Sequence, residues 1–367
     1  MNDPQFPDEI HAWQMVEGPK DGEGGKFEHV SFPTPDLKPG EALVEIAACG
    51  VCRSDLSFFY TDVKTVNPPP ITLGHEISGT VIAGESEWIG KEVIVPTILS
   101  CGKCELCLNG RGNRCVRQKM PGSSLGNFGG FSSHIVVPAR QLCPVADRKG
   151  HSLADLAVVA DAISTPYQAA IRADIQPGDK VVIIGVTGGC GFYLAQWCRK
   201  MGAETIIGIG RNDEKLARSM DHGCDAVINV TEKSDWEVQK EFWKTARRLK
   251  VEPKWGWKTF EASGSKSGQE LALQLLSYTG MIVIVGYSPD EISYNISRLS
   301  AFDAELRGSW GCVAERYPEI LDSVLNSEVA TSGFVDQQPM SRIEAVFEDH
   351  WRTGTPLKRV VLTPDFN

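Results

Sequence analysis

No run of apolar residues in this sequence reaches the ~18 that a membrane span requires. Positive charge is also short: 37 lysines and arginines face 47 aspartates and glutamates, a formal charge of −10. An acidic chain without a long basic stretch is a poor partner for nucleic acid and leaves room only for local pockets that hold small anions. The segment Met1 to Ile10 carries three acids and two prolines. It lacks the basic start and apolar stretch of a secretion signal, so a cytoplasmic protein is expected. No repeat of solenoid period and no low-complexity tract occurs. What remains is ordinary globular composition, 42% hydrophobic and 23% charged over 367 residues, which excludes disorder, collagen and a small disulfide-stapled scaffold and suggests two domains. In a reducing compartment the eleven cysteines do not read as disulfides. Their positions carry the information.

Residues 1–162 read as β-rich. The runs 41–46, 91–95 and 132–137 are short and rich in β-branched residues, bounded by glycine and proline, the pattern of a barrel or sandwich. At Gly178 the rhythm changes. Residues 180–184 form a continuous apolar run, as in a buried parallel strand. A helix is expected over 192–201, a strand over 205–209, and a helix over 213–222 with Asn212 as N-cap. Strands at 226–230, 259–262 and 281–285 continue the alternation, the mark of a doubly wound parallel sheet in an α/β protein. Residues 251–257, with Pro253 and two tryptophans, read as a loop. A helix at 318–326 and a strand at 359–362 close the chain.

The turn after the first parallel strand is Gly185-Val-Thr-Gly188-Gly189-Cys190-Gly191. Glycines between strand and helix let backbone N–H groups and the helix N-terminus approach a pyrophosphate. The spacing is one residue longer than the plain dinucleotide fingerprint, and a structural turn is the alternative. The second strand ends in Gly210-Arg211, where an NAD site usually has an acid for the ribose hydroxyls. Arg211 faces a 2′-phosphate, stacks on adenine, or lies in solvent; the sequence leaves these open.

Cys101, Cys104, Cys107 and Cys115 fall within fifteen residues. Four thiolates at this spacing suit tetrahedral zinc and leave no open position, so the site would be structural; an iron–sulfur cluster is the other metal reading. Cys52, in Cys-Gly-Val-Cys52-Arg-Ser54-Asp55, and His75, in Gly-His75-Glu76, supply two ligands of a catalytic zinc, which needs about three and one open position. Asp55 can orient a ligand, Ser54 can carry a proton, and Glu76 can enter the open position. Spacing alone does not give the third ligand.

These motifs, with Gly74-His75-Glu76-x-x-Gly79 and Ser164-Thr165-Pro166-Tyr167, resemble the zinc-dependent medium-chain alcohol dehydrogenases over nearly the whole chain. The resemblance implies a GroES-like catalytic domain, 1–162 and 311–367, carrying a structural zinc lobe at 101–115, and a Rossmann dinucleotide-binding domain, 163–310. It implies two zinc ions per chain, with Cys52 and His75 as catalytic ligands and Ser54 as the start of a proton relay. The family's third ligand, often cysteine, falls on Asp161. A histidine found in some animal members is Ser57 here. Arg53, Thr165, Gly185, Gly188, Gly189, Gly191, Arg211 and Gly286 fall on cofactor-facing positions. Four stretches, 71–78, 110–115, 118–122 and 129–140, are similar to the branch that oxidises a cyclic allylic alcohol carried as a CoA thioester, with NAD, in anaerobic aromatic degradation. NADP-dependent cinnamyl-type or polyol dehydrogenases are the alternative. Phe58, Phe59 and Tyr60 line the substrate ring or belong to the barrel core. The short stretch between Cys115 and Asp161 goes with homotetramers in this family. A nucleic-acid-binding zinc protein, the rival from another class, conflicts with the charge and the separate glycine turn.

Overall fold

A computed structural model describes residues 6–20 and 22–366. Met1–Gln5, half of the segment read as lacking a secretion signal, lie outside them. Among the described residues no helix is long and apolar enough to cross a membrane. The chain forms two units, Met1–Ser164 with Gly311–Asn367, and Thr165–Trp310.

The second unit is a six-stranded, all-parallel sheet. Its spatial order is Ala226–Asn229, Thr205–Gly210, Lys180–Ile184, Trp257–Glu261, Met281–Ile284, Glu305–Gly308. The run starting at Lys180 is central because it is apolar on both faces: Val181, Val182 and Ile183 have no exposed surface. Helix Asp213–Asp221 begins where expected, with Asn212 Oδ1 accepting from Lys215 N at 3.0 Å. Helix Gly189–Lys200 starts three residues before the expected Phe192, because glycines of the turn supply its first residues. Trp257, read as loop, is the first residue of a strand and is 1% exposed. Helix Asp235–Arg248 was not foreseen, although Ser234 and Glu237 form its capping box.

The first unit holds a mainly antiparallel seven-stranded sheet and a smaller three-stranded one. Its longest strand, Glu41–Gly50, runs four residues past the expected end and pairs with Glu76–Ala83, His134–Pro138 and Arg359–Thr363. Its buried face and the helix Ile343–Thr353 share one core. The strand ends put Cys49, Gly50 and Glu76 side by side. Cys52 and His75 flank that corner.

Candidate active site

Cys52 is the N-cap of helix Arg53–Tyr60, and Asp55 is the third residue of that helix. Asp55 is fully buried. Its Oδ2 accepts from Cys52 N at 2.9 Å, and its Oδ1 accepts from Gly74 N at 3.1 Å. The same Oδ1 lies 3.3 Å from His75 Nδ1. One carboxylate thereby fixes the backbone of Cys52 and Gly74 and lies beside Nδ1 of the His75 ring, whose Nε2 faces the site. Asp161 follows the short 3-10 segment Asp155–Ala160. Its Oδ2 lies 3.6 Å from both Cys52 Sγ and His75 Nε2.

These separations fit a metal ion. Zinc bonds of ~2.3 Å to sulfur and ~2.0–2.1 Å to nitrogen or oxygen place tetrahedral ligands ~3.6 Å apart for S and O and ~3.4 Å apart for N and O. The charge fits as well. Burial opposes protonation of His75, yet Asp55, Asp161 and Cys52 outweigh it and hold the imidazole well above its ordinary pKa. Ser54 Oγ sits 3.3 Å from His75 Nε2, at the edge of this cluster.

Glu76 also has a carboxylate oxygen within 4.8 Å of the other three donor atoms. Both of its oxygens are already engaged. Arg359 Nε donates to Oε2 at 3.1 Å and Nη2 donates to Oε1. Burial raises the Glu76 carboxyl, and Arg359 partly offsets this. Each carboxylate oxygen carries two lone pairs, so these bonds leave room for the expected role of Glu76 in the open position.

The four-cysteine loop is closed at its base by the backbone pair Leu99–Lys119, at 2.8 and 2.9 Å. Sγ separations are 3.4 Å for Cys104–Cys107, 3.7 Å for Cys104–Cys115 and 3.9 Å for Cys101–Cys107. A zinc tetrathiolate requires ~3.8 Å. Backbone N–H groups of Cys101 and Arg117 donate to Cys115 Sγ, each at 3.3 Å. Backbone N–H donation at Lys103 helps to draw Cys101 down to about 5, while burial pushes Cys115 up to about 11.

In the second unit, the glycine turn joins the central strand to helix Gly189–Lys200. Gly185 has φ +83°, and a Cβ there would lie 2.7 Å from Ser263 N. A Cβ on Gly191 would lie 2.1 Å from the Gly185 carbonyl oxygen. The turn therefore keeps its shape only with glycine, and Gly188 and Gly189 leave the helix N-terminus bare for a pyrophosphate. The crevice between strands Lys180–Ile184 and Trp257–Glu261 is the topological switch point, where such sheets bind dinucleotides. Gly286 donates its N–H to the Glu261 carbonyl at 2.9 Å, beside that crevice. Thr165 is the second residue of the helix Ser164–Arg172. Arg211 is exposed just past Gly210, and its carbonyl accepts from Thr231 Oγ1 at 3.1 Å. Arg53, in the first unit, lies 4.8 Å above the Trp351 ring.

Comparison with known proteins bears on both units. A family profile described as the alcohol dehydrogenase GroES-like domain matches residues 38–147, and one described as zinc-binding dehydrogenase matches 189–326. An alcohol dehydrogenase of Geobacillus stearothermophilus is 30% identical over 336 residues, 90% of this chain and 94% of the relative. The chain belongs to the zinc-dependent medium-chain alcohol dehydrogenase family. A sorbitol dehydrogenase of Bombyx mori is 26% identical over 341 residues, 90% of this chain and 93% of the relative. The solved structure of a thermostable alcohol dehydrogenase from Pyrobaculum aerophilum covers 97% of this chain and 100% of its own, with a TM-score of 0.81 and 25% identity. The protein is thus an oxidoreductase of this family, using zinc and a nicotinamide dinucleotide, on the GroES-like plus Rossmann fold.

For an alcohol dehydrogenase site, the two alternatives left open for Phe58, Phe59 and Tyr60 narrow. Phe59 does not line a substrate pocket. It stacks on Phe27 at 4.4 Å and meets Phe347 edge-on at 5.3 Å, inside the core. Tyr60 stacks on Trp351 at 4.8 Å; Phe58 is half-buried against the same core. Ser57, where some animal members have a histidine, donates its Oγ proton back to the Arg53 carbonyl at 3.1 Å. Arg359 was missed altogether. It lies 283 residues from Glu76 in sequence, and no local signal joins the two.

Proposed function

We propose that this alcohol dehydrogenase oxidises a secondary allylic alcohol to a conjugated ketone with NAD, converting 6-hydroxycyclohex-1-ene-1-carbonyl-CoA to 6-oxocyclohex-1-ene-1-carbonyl-CoA in cytoplasmic, anaerobic benzoyl-CoA degradation. The observation that carries the reaction type is the convergence of Cys52 Sγ, His75 Nε2 and Asp161 Oδ2 with Ser54 Oγ alongside. The substrate rests on the four sequence stretches named above. Cys52, His75 and Asp161 would hold one zinc, and Cys101, Cys104, Cys107 and Cys115 a second. Zinc supplies the Lewis acidity that makes an alcohol hydroxyl acidic near neutral pH, and the nicotinamide ring is the hydride acceptor. Ser54 takes the hydroxyl proton outward. Asp55 keeps His75 in the tautomer with Nε2 free for the metal. Asp161 brings a negative charge in place of a second thiolate. The test is a coupled absorbance assay of the nicotinamide band. Turnover of the cyclohexenol thioester at kcat/KM at least a hundredfold above cinnamyl alcohol and sorbitol is expected. A preference for either of those alcohols overturns the substrate.

A second reading, an NADP-dependent cinnamyl-type or polyol dehydrogenase, is favoured by one feature, Arg211 following Gly210 where an acid would bind the NAD ribose. Arg211→Ala separates the two. A bidentate contact to a 2′-phosphate is worth about 1.5–3 kcal/mol, roughly ten- to a hundredfold in NADP affinity. The expected result is instead an equal, small weakening of NAD and NADP, with NAD preferred throughout. Initial rates on the wild type that favour NADP tenfold would establish the second reading. Assembly as a homotetramer is part of the proposal; light scattering that gives a stable dimer at all concentrations rejects it.

A further inference from the structure

Behind the three converging donor atoms lies a buried cluster of hydroxyls that neither the reaction nor the fold accounts for. Tyr317 Oη donates to the Ala160 carbonyl at 2.5 Å. Thr97 Oγ1 and Ser164 Oγ each lie 2.9 Å from that same carbonyl. Thr97 Oγ1 is also 3.0 Å from the His75 carbonyl. Thr97 N donates to Tyr317 Oη at 3.3 Å, and Ser164 Oγ lies 3.2 Å from it. Thr97, Ser164 and Tyr317 are all buried, and burial raises the Tyr317 phenol well above its ordinary value, so the phenol stays a donor.

The proton count explains the arrangement. A carbonyl oxygen has two lone pairs, and each hydroxyl has one proton. Tyr317 fills one lone pair of Ala160. Ser164 is satisfied by Tyr317 Oη or the remaining lone pair. Thr97 divides its proton between Ala160 and His75. Thr97 therefore ties the backbone of a ligand residue, His75, to the residue immediately before another, Asp161. These two stretches are far apart in sequence, and Asp161 sits at the end of a short 3-10 segment, outside any ladder.

We infer that Thr97, braced by Tyr317 and Ser164, is a positioning residue that sets the distance between His75 and Asp161 and thereby the metal affinity of this site. The inference rests on the reading of Cys52, His75 and Asp161 as zinc ligands. A carboxylate in the third position gives it its weight, because Asp161 offers oxygens on a short side chain whose reach depends on where its backbone is held.

The experiment uses the full chain in three forms: wild type, Thr97→Val, which keeps the shape and removes the hydroxyl, and Thr97→Ser, which restores it. Zinc is titrated against a chelator of known affinity, and the cobalt-substituted protein is compared by its visible d–d bands. Outer partners of metal ligands are commonly worth roughly 10–100-fold in affinity. Thr97→Val is expected to weaken one of two zinc ions by that factor and to shift the cobalt bands, with the four-cysteine lobe unaffected and Thr97→Ser within about threefold of wild type. The inference is overturned if Thr97→Val binds zinc as the wild type does, if both zinc ions weaken together, or if Thr97→Ser is no better than valine. Should Thr97→Val fail to fold, Tyr317→Phe carries the same test with the same outcomes. A wild type that holds zinc only in the lobe would instead overturn the ligand assignment itself, and this inference with it.

Discussion

Cys52→Ser is expected to abolish alcohol oxidation and reduce zinc from two ions per chain to one, while the chain stays folded. The thiolate would supply the soft donor of the proposed Cys52, His75, Asp161 set. Serine replaces it with a hydroxyl that remains protonated near neutral pH and binds zinc poorly. Loss of the Lewis acid removes at least ~4 kcal/mol of transition-state stabilisation, a rate loss of about 10³ or more. The fold survives because the surrounding bonds do not need sulfur. Asp55 still accepts from residue 52 N, Gly74 N still donates to Asp55, and Cys52 itself is not part of the apolar core of this unit. Elemental analysis with circular dichroism checks the prediction. Full turnover in the variant, or unchanged zinc, rejects the assignment.

Cys104→Ser is expected to do the reverse, with the loss falling on local order. The loop has little apolar packing along its helix. Its helix Glu105–Leu108 has no buried residue, and Leu108 and Val116 are each 75% exposed. Structural zinc contributes its binding energy directly to folding, about 10–16 kcal/mol in small zinc domains. Losing even ~3 kcal/mol of this raises the opened population of the loop by about a hundredfold. Limited proteolysis should therefore cut between residues 101 and 115 at a greatly increased rate, with zinc again falling to one per chain. The Leu99–Lys119 pair confines the opening to the loop, so turnover per remaining active-site zinc should fall by less than tenfold. Equal cleavage of variant and wild type would show that the lobe is ordered without its metal.

The sequence displayed its chemistry wherever that chemistry is local. Four cysteines in fifteen residues and a glycine turn between strand and helix are readable because their spacing is their geometry. The parallel sheet was legible for a similar reason, since strands buried on both faces are continuous apolar runs. Contacts between distant residues were not legible. Phe59 follows Ser54 closely enough to suggest a pocket, yet Phe27 and Phe347 claim it for the core. Arg359 and Tyr317 carry no motif, and only the fold brings them to Glu76 and Ala160. Trp257 was misread because neighbouring Pro253 is a strong turn signal, and nothing local revealed the parallel partner Lys180. The capping box Ser234–Glu237 and the N-cap Ser265 of helix Lys266–Gln274 were overlooked local cues.

Residues 165–310 form a unit inserted between two parts of the other. A ribosome therefore releases every part of the inserted sheet before the strand Arg359–Thr363 exists. That strand belongs between Glu41–Gly50 and Val335–Pro339, and it carries the guanidinium that neutralises Glu76. Until it arrives, the nascent first unit holds an uncompensated carboxylate at the centre of an unfinished sheet and exposes the strand edge waiting for its partner. The inserted unit, whose six strands all lie within 165–310, is free to fold early. The host unit can be completed only at the close of translation, and the vulnerable interval for aggregation or chaperone capture spans the synthesis of nearly two hundred residues between Asp161 and Arg359.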